Sequence, residues 1–475
     1  MNEQPTTEVH MAFPTTDIVH QLAACAAETR YEDLPPEAAE AAKKSILDTL
    51  GVILAASGTE PAVRGVIDLV MESGGRPESS VLAFGGKAPA MAASFANGAM
   101  AHCLDYDDQT PWGQHCSSSI VPAVFAVAER QGGVRGADLI AAVAAGQDLF
   151  ARLRRNVGWR KDWNLSTVLG VFAATAAAGR VLGLPGERLA DALGIASMQS
   201  SGVMEVVAGT GSDLRAMYAG FSARGAVTAA LLAQKGITGV PDVFEGGHGV
   251  FRTYFDGVYD REAILAGLGT DYQGGGTLYK PWPAVGTAHS HIHAAIGLMA
   301  DHGLASDDID EVRVHVGDYH DLMCRPLDAR RAPSTLVDAK FSLPFLVAVA
   351  ATRGTVRVAD FLPDALRNPE VLNMARKVVP IADESLDWKM ELPPGRVELR
   401  LRDGRHVTRT GTEVPGSTEA PMTWGDIIRK FEDCASAAAS APSPEQVRMA
   451  VRLVRDLDTS DDATEVVRAL SAAPG

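Results

Sequence analysis

The sequence predicts a mainly α protein: a large all-helical domain over residues 1–271, a smaller α+β domain over 272–412, and C-terminal helices over 413–475 that return to the helical domain. Three observations predict it. Ala-rich apolar residues recur at helical spacing through the first 270 positions. Near 270 the texture changes, and strict polar–apolar alternation appears at 311–316 and again at 395–402. From Thr423 helical spacing resumes, broken by a Ser/Ala/Pro stretch near 435–444. A chain of 475 residues is long enough for two or three domains. With 46% apolar and 21% charged residues, a mainly disordered or fibrous chain is excluded.

Taken in order, Pro36 opens the first long helix, with Glu37 and Glu40 in the opening turns where the helix dipole favours acids. Ile46, Leu47, Leu50, Val52, Ile53 and Leu54 continue it with a wide buried face. Further helices are expected over 122–131, 137–150, 167–182 and 220–234. Several are apolar nearly all round, which places them inside a large helical core. A Gly-rich connection at 271–277 leads to a helix around 291–302. The alternating run 311–316 is a strand, and 395–402 a second. Asp403 and Gly404 then give the strongest hairpin signal in the chain, ahead of His406, Val407 and Thr408.

Lys and Arg total 43 against 59 Asp and Glu, a formal charge of −16. A field this acidic does not draw the chain to nucleic acid, yet leaves room for a local cationic pocket for an acidic small molecule. Residues 1–16 are polar, carry Pro5 and Pro14, and lack the basic start and apolar run of a signal peptide. No uninterrupted apolar run of about 18 residues occurs, so no membrane span is expected. The five cysteines, Cys25, Cys103, Cys116, Cys324 and Cys434, are odd in number and show no CxxC or zinc-ribbon spacing. They are expected to be reduced thiols of a cytoplasmic protein.

Four segments gather polar and glycine residues where a core helix would not. In the first, His102 and Asp105 lie one turn apart on a helix that runs into an acidic loop with Asp107 and Asp108. The loop ends at His115, just before Ser117, Ser118 and Ser119. Serines at a helix start can cap it and leave N–H groups for an anion, and a histidine there can shuttle a proton near neutral pH. The same residues also suit a solvated acidic loop with plain capping serines. In the second, Arg215 precedes a small-residue helix and can clamp a carboxylate in bidentate fashion, or sit on an ordinary surface turn. In the third, Pro281 and Pro283 hold Lys280 in an extended segment. Thr287 or a neighbour then starts a helix carrying His289 and His293. Without HExxH or a clear third ligand, a lysine and a histidine facing an anion is preferred to a metal site. The fourth, with Gly246, Gly247 and Gly249, has neither GxGxxG nor a GKS or GKT sequence, so a tight loop packed on the core is expected. No Gly-x-Ser-x-Gly elbow marks a nucleophilic triad.

Ordered marks run along nearly the whole chain: 43–51 (KKSILDTLG), Asn97 and Gly98 with His102 and Asp105-Tyr106-Asp107-Asp108, the 220–239 stretch, 245–251, Lys280-Pro281-Trp282-Pro283 with His289, and 339–345 (AKFSLPF). In this order they resemble the MmgE/PrpD family, which includes 2-methylcitrate dehydratase, cis-aconitate decarboxylase and iminodisuccinate epimerase. The resemblance implies a large all-helical domain plus an α+β lid domain, a homodimer, and a site between the domains. It also implies proton chemistry at carbon next to a carboxylate, without metal or organic cofactor. By the same resemblance Asp105, His115, Lys280 and the lid histidine His289 are the expected catalytic residues. Four positions depart from the decarboxylase-type site: Gln109 replaces a threonine, Asn164 a histidine, Arg215 a lysine and Val285 a histidine. Carboxylate binding is then retained with an altered proton-transfer set. His115 is expected as base or acid, oriented by Asp105 through a ring N–H, with His289 as a second acid–base group. Lys280 and Arg215 would clamp the carboxylate and enolate, with Gln109, Asn164 and His102 as further substrate-binding residues. The function expected is a cofactor-independent lyase, dehydratase or decarboxylase, acting on a small di- or tricarboxylate. The alternatives are an epimerase of a similar carboxylate and a non-catalytic carboxylate binder.

Overall fold

Two glycines bring the helices that carry the site into close contact. Helix Ala90–His102 packs on Leu214–Gln234, and a Cβ on Gly98 would lie 2.9 Å from the Gly220 Cα. A Cβ on Gly220 would lie 2.5 Å from the Phe95 carbonyl oxygen, so neither position accepts a side chain without moving the helices apart. The computed structural model describes residues 16–209, 212–389 and 392–471; the leader reading of residues 1–15 and Gly211 of the Arg215 segment lie outside them.

The molecule is mainly α with a smaller α+β region, as its periodicities predict. Helices Ser117–Arg130, Gly136–Arg155 and Gly170–Val181 form the centre of the helical part, and Gly170–Val181 buries every residue but Arg180. Their boundaries differ from the expected ones for physical reasons. Ser117–Arg130 begins five residues before Pro122, which reads in sequence as a helix start but sits inside. Leu214–Gln234 begins six residues before Gly220, because that glycine is a packing contact and not a break. Arg215 therefore lies in the first turn of this helix, not ahead of it. Helix Ala90–His102 stops at His102, so Asp105 is not on it; Asp105 takes φ +47°, a left-handed conformation that turns the chain. Among the described residues no single helix is long and apolar enough to cross a bilayer.

The α+β region is built on four strands. Ile309–Val316 pairs in parallel with Val378–Ala382 and antiparallel with Gly395–Leu401. Gly395–Leu401 in turn pairs with His406–Gly411 through the Asp403-Gly404 hairpin. Alternation buries Val312, Val314 and Val316 on one strand and Val397, Leu399 and Leu401 on the other. Val378–Ala382 escaped the sequence pattern because it is a short edge strand containing Pro380, a residue that suits only an edge. Helix His289–Asp301 packs on the sheet, against Gly395–Leu401 and His406–Gly411. After the sheet, helix Trp424–Ser436 lies on Pro36–Thr59. Lys430 pairs with Asp48 at 2.6 Å, and Phe431 covers Gly51.

Candidate functional site

The acidic loop after His102 is buried, against the solvated alternative: Asp105, Asp107 and Asp108 are each 2% exposed or less. Three buried lysines from distant parts of the chain hold it there. Lys340 donates to the Cys103 carbonyl, and Lys280 to both the carbonyl (2.9 Å) and carboxylate of Asp105. Lys430 donates to the Tyr106 carbonyl at 2.5 Å. Each lysine also faces a carboxylate: Glu60 at 3.7 Å for Lys340, Asp105 for Lys280 and Asp48 for Lys430. Buried cations and anions are thereby paired, without which neither would be tolerated in the core.

His115 closes the loop. Its backbone N–H donates to Ser166 Oγ at 3.0 Å. Its Nδ1 lies 2.6 Å from the Asp108 carbonyl and 3.3 Å from Asp107 Oδ2. Both neighbours are acceptors, so Nδ1 carries the hydrogen and Nε2 is left as the exchanging position. Asp105 stands on the Nε2 side, 3.5 Å away. The carboxylate that orients the ring is thus Asp107, not Asp105 as the sequence suggested. Asp107 also receives His102 Nδ1 at 3.1 Å, and the two imidazoles lie 4.7 Å apart. The expected serine caps are absent: the residue at the cap is Cys116, whose side chain makes no capping bond, and Ser117 Oγ accepts from Gln147.

Electrostatics separate these groups. Burial alone would lower the His115 pKa, but Asp107, and to a smaller extent Asp105, leave it above its ordinary value despite Lys280. For His102 burial prevails over Asp107 and the pKa is lowered. Burial opposes ionisation of Asp105, yet Lys280, His115 and His102 bring it down to about 2. Asp107 is likewise held well below the carboxylate range by the two histidines, against burial. Asp108 goes the other way, pushed up to about 7 by burial and by Asp48.

Asp105 and His115 open on a cavity of about 60 Å³. Arg215 enters it, with its guanidinium carbon 3.2 Å from the Phe341 ring centre. Burial, then Arg330, lowers this guanidinium to about 9. Its Nε is buried without a hydrogen-bond partner among the described residues. Asn164 lines the same cavity. Its Oδ1 caps helix Leu165–Val168 by accepting from Ser166 N at 3.1 Å, and its Nδ2 is also buried without a partner. Arg215 and Asn164 thus line the cavity, each with one buried donor lacking an acceptor among the described residues, beside an imidazole able to exchange a proton.

Comparison with known proteins identifies this architecture. The MmgE/PrpD N-terminal domain model matches residues 20–262, and the MmgE/PrpD C-terminal domain model matches residues 282–458. The chain belongs to the MmgE/PrpD family. It is an enzyme of that type. A protein of Aspergillus terreus named cis-aconitate decarboxylase is 28% identical, with 96% of each chain covered. The Homo sapiens protein of the same name is 24% identical, covering 89% of this chain and 88% of the relative. A Saccharomyces cerevisiae protein named "Probable 2-methylcitrate dehydratase" is 23% identical over 80% of this chain and 77% of its own.

Not every residue expected of an MmgE/PrpD site reaches this cavity. Asp105, His115, Arg215 and Asn164 line it, as does Val285. Lys280 is engaged by Asp105, and His102 stands behind Asp107. Gln109 and His289 face a different and larger cavity of about 590 Å³. Gln109 is held there by paired backbone bonds to Leu278 at 2.9 and 2.8 Å. His289 Nε2 lies 3.1 Å from the Ala284 carbonyl, and burial, then Lys280, pushes the ring down to about 3. His102, Asp107 and His115 bring ligand atoms within 4.8 Å of one another, but a metal there would displace the imidazole–carboxylate hydrogen bonds. Cys116 is buried and its thiol is pushed well above its ordinary value by burial, so it is no nucleophile near neutral pH. The Glu245 loop is structural: its carboxylate accepts from Ile18 N and Tyr259 Oη at 2.8 and 2.9 Å. Sequence reasoning missed Asp107 as the partner of His115, and missed Lys340 and Lys430. The one available signal was that Lys340 falls within the ordered 339–345 mark.

Proposed function

We propose that this MmgE/PrpD enzyme is a cofactor-independent lyase that transfers a proton at a carbon next to a carboxylate of a small di- or tricarboxylate. The observation that carries the reading is the lining of one cavity by Arg215, Asn164 and His115, which brings a cation, an amide and an imidazole around one space. A substrate carboxylate there would pair with the Arg215 guanidinium. Relatives named for cis-aconitate and 2-methylcitrate support a carboxylate substrate.

Charge that develops on the enolate during bond cleavage is met by Arg215, a buried fixed cation that acts more strongly than one in water. His115, with its Nδ1–H held by Asp107 and the Asp108 carbonyl and its pKa raised by Asp107, is the group placed to donate the proton. In decarboxylation the C–C bond breaks, CO2 leaves with neither of the bond electrons, and the carbanion takes the His115 proton. In dehydration the same proton goes to the departing hydroxyl, and Asp105, kept ionised by Lys280, is the nearest base. Lyase chemistry is favoured over epimerisation because His289, the second acid–base group an epimerase would use, lines the other cavity. A homodimer and a reducing, cytoplasmic setting complete the proposal. The first follows from the family resemblance, and the five unpaired cysteines support the second.

Proton NMR in D2O with cis-aconitate, citrate, 2-methylcitrate, iminodisuccinate and simpler 2-substituted succinates tests it. New vinyl signals or loss of a carboxyl carbon is the expected result. Deuterium entering an unchanged skeleton would replace the lyase with an epimerase, and binding without any change would leave a carboxylate-binding protein.

A further inference from the structure

The cavity of His115 is unevenly furnished. Arg215 is the only lysine or arginine lining it; Lys280 is bound to Asp105 and lines neither this cavity nor the larger one. Gln114, Trp159, Asn164, Ser166, Tyr218 and Tyr319 are the neutral polar residues of its lining. Much of the remaining wall is apolar, with Val285, Met204, Val207 and Leu165 among its residues. Arg215 can pair one carboxylate in bidentate fashion, and the neutral donors can hold a second. A third, placed against Val285, Met204 and Val207, would bury a charge on an aliphatic wall, which costs far more than it gains. An alkyl group against the same wall would be favourable by burial.

We propose that the substrate of this enzyme carries one or two carboxylates and an apolar arm lying against Val285, Met204 and Val207, in the place where a tricarboxylate carries its third charge. The inference rests on the reading of this cavity as the carboxylate site. Val285 is then a specificity-determining residue, and the acid taken is a short, alkyl-substituted mono- or dicarboxylate.

The test is calorimetric titration of the full chain, at one pH and salt concentration, with maleate, 2-methylmaleate, 2-ethylmaleate and cis-aconitate. These share one dicarboxylate frame and differ only in the arm: hydrogen, methyl, ethyl or carboxymethyl. Affinity is expected to rise roughly fourfold for each added carbon up to ethyl. Cis-aconitate is expected to bind at least tenfold more weakly than 2-ethylmaleate. Val285→Lys is expected to reverse that last preference, and Val285→Leu to keep it. Arg215→Met is expected to weaken every member of the series. If cis-aconitate binds the unaltered chain tightest while Arg215→Met still abolishes binding, the apolar-arm inference is overturned and the carboxylate site stands. If no member binds, or binding ignores Arg215→Met, the carboxylate site itself fails, and the inference with it.

Discussion

His102 and His115 share one carboxylate, Asp107, whereas His289, His291 and His320 face backbone carbonyls. In the second group Nε2 of His289, His291 and His320 lies 3.1, 2.8 and 3.1 Å from the carbonyls of Ala284, His315 and Thr287. Burial is common to both groups, and in the second it pushes the rings down to about 3, 3 and 4. His291 and His320, with ring centres 4.7 Å apart, also repel each other's protonation, which adds to the effect on His291. Of these five rings only that of His115 rises above its ordinary value. The comparison shows that a buried histidine in this chain is by default a neutral packing residue with a satisfied N–H. It becomes an acid when a carboxylate is fixed against the opposite ring nitrogen. Asp107 does this for His115 and fails for His102, whose greater burial outweighs the same carboxylate.

The largest effect that could break this contrast is on catalysis. His115→Asn is expected to lower kcat/KM by roughly 10²- to 10⁴-fold, while His291→Asn leaves it within a few-fold in a folded protein. Equal losses would remove the distinction between the groups. Next is Arg215→Met, expected to raise KM by roughly 10- to 100-fold through loss of a charge-assisted hydrogen bond, measured by steady-state kinetics. Asp107→Asn sharpens the comparison further, because burial should then govern His115 as it governs His291. With His115 as proton donor, kcat/KM falls as pH rises through its pKa, which lies above 6.5. In Asp107→Asn that limb is expected to move to lower pH, with activity near pH 7 reduced roughly tenfold.

The smallest effect is on stability. His291 and His320 have folded pKa values of about 3 and 4 against about 6.5 when unfolded. Below 6.5 the unfolded chain binds the protons that the folded chain refuses. Stability is therefore full above that pH and lost as pH falls toward 4 and 3. His115, raised, works the opposite way: its contribution is present below 6.5 and lost as pH rises through its folded pKa. Melting temperatures from pH 8 to 4.5 should fall less steeply in His291→Gln than in the unaltered chain. A parallel slope would show that His291 does not titrate as described.

Much of this was legible in the sequence, and what was not has a common cause. The change from helical to alternating period marked the helical and α+β regions, because side-chain periodicity is a local signal. Asp105, His115, Arg215 and Asn164 stood out and lie around one cavity. Lys280 stood out but not as a partner of the loop, and Lys340 and Lys430 did not stand out, because the three reach it from 175, 237 and 324 residues away. Nothing in a helical pattern distinguishes a lysine that clamps a distant carbonyl from one that is solvated. The left-handed turn at Asp105, a non-glycine, was equally invisible, and it decides that Asp107 and not Asp105 lies against His115 Nδ1. Gln109 and His289 were grouped with the site by the family resemblance, and the paired backbone of Gln109 and Leu278 holds Gln109 at the other cavity.

The most direct measurement is a pH titration of the histidine ring signals by NMR, on isotope-labelled protein from pH 9 to 5, with each ring assigned by its His→Gln variant. The account predicts that His115 titrates with a pKa above 6.5 while His289, His291 and His320 stay neutral across the range. A His115 midpoint below 6.5, or a midpoint near 6.5 for any of the other three, would contradict it.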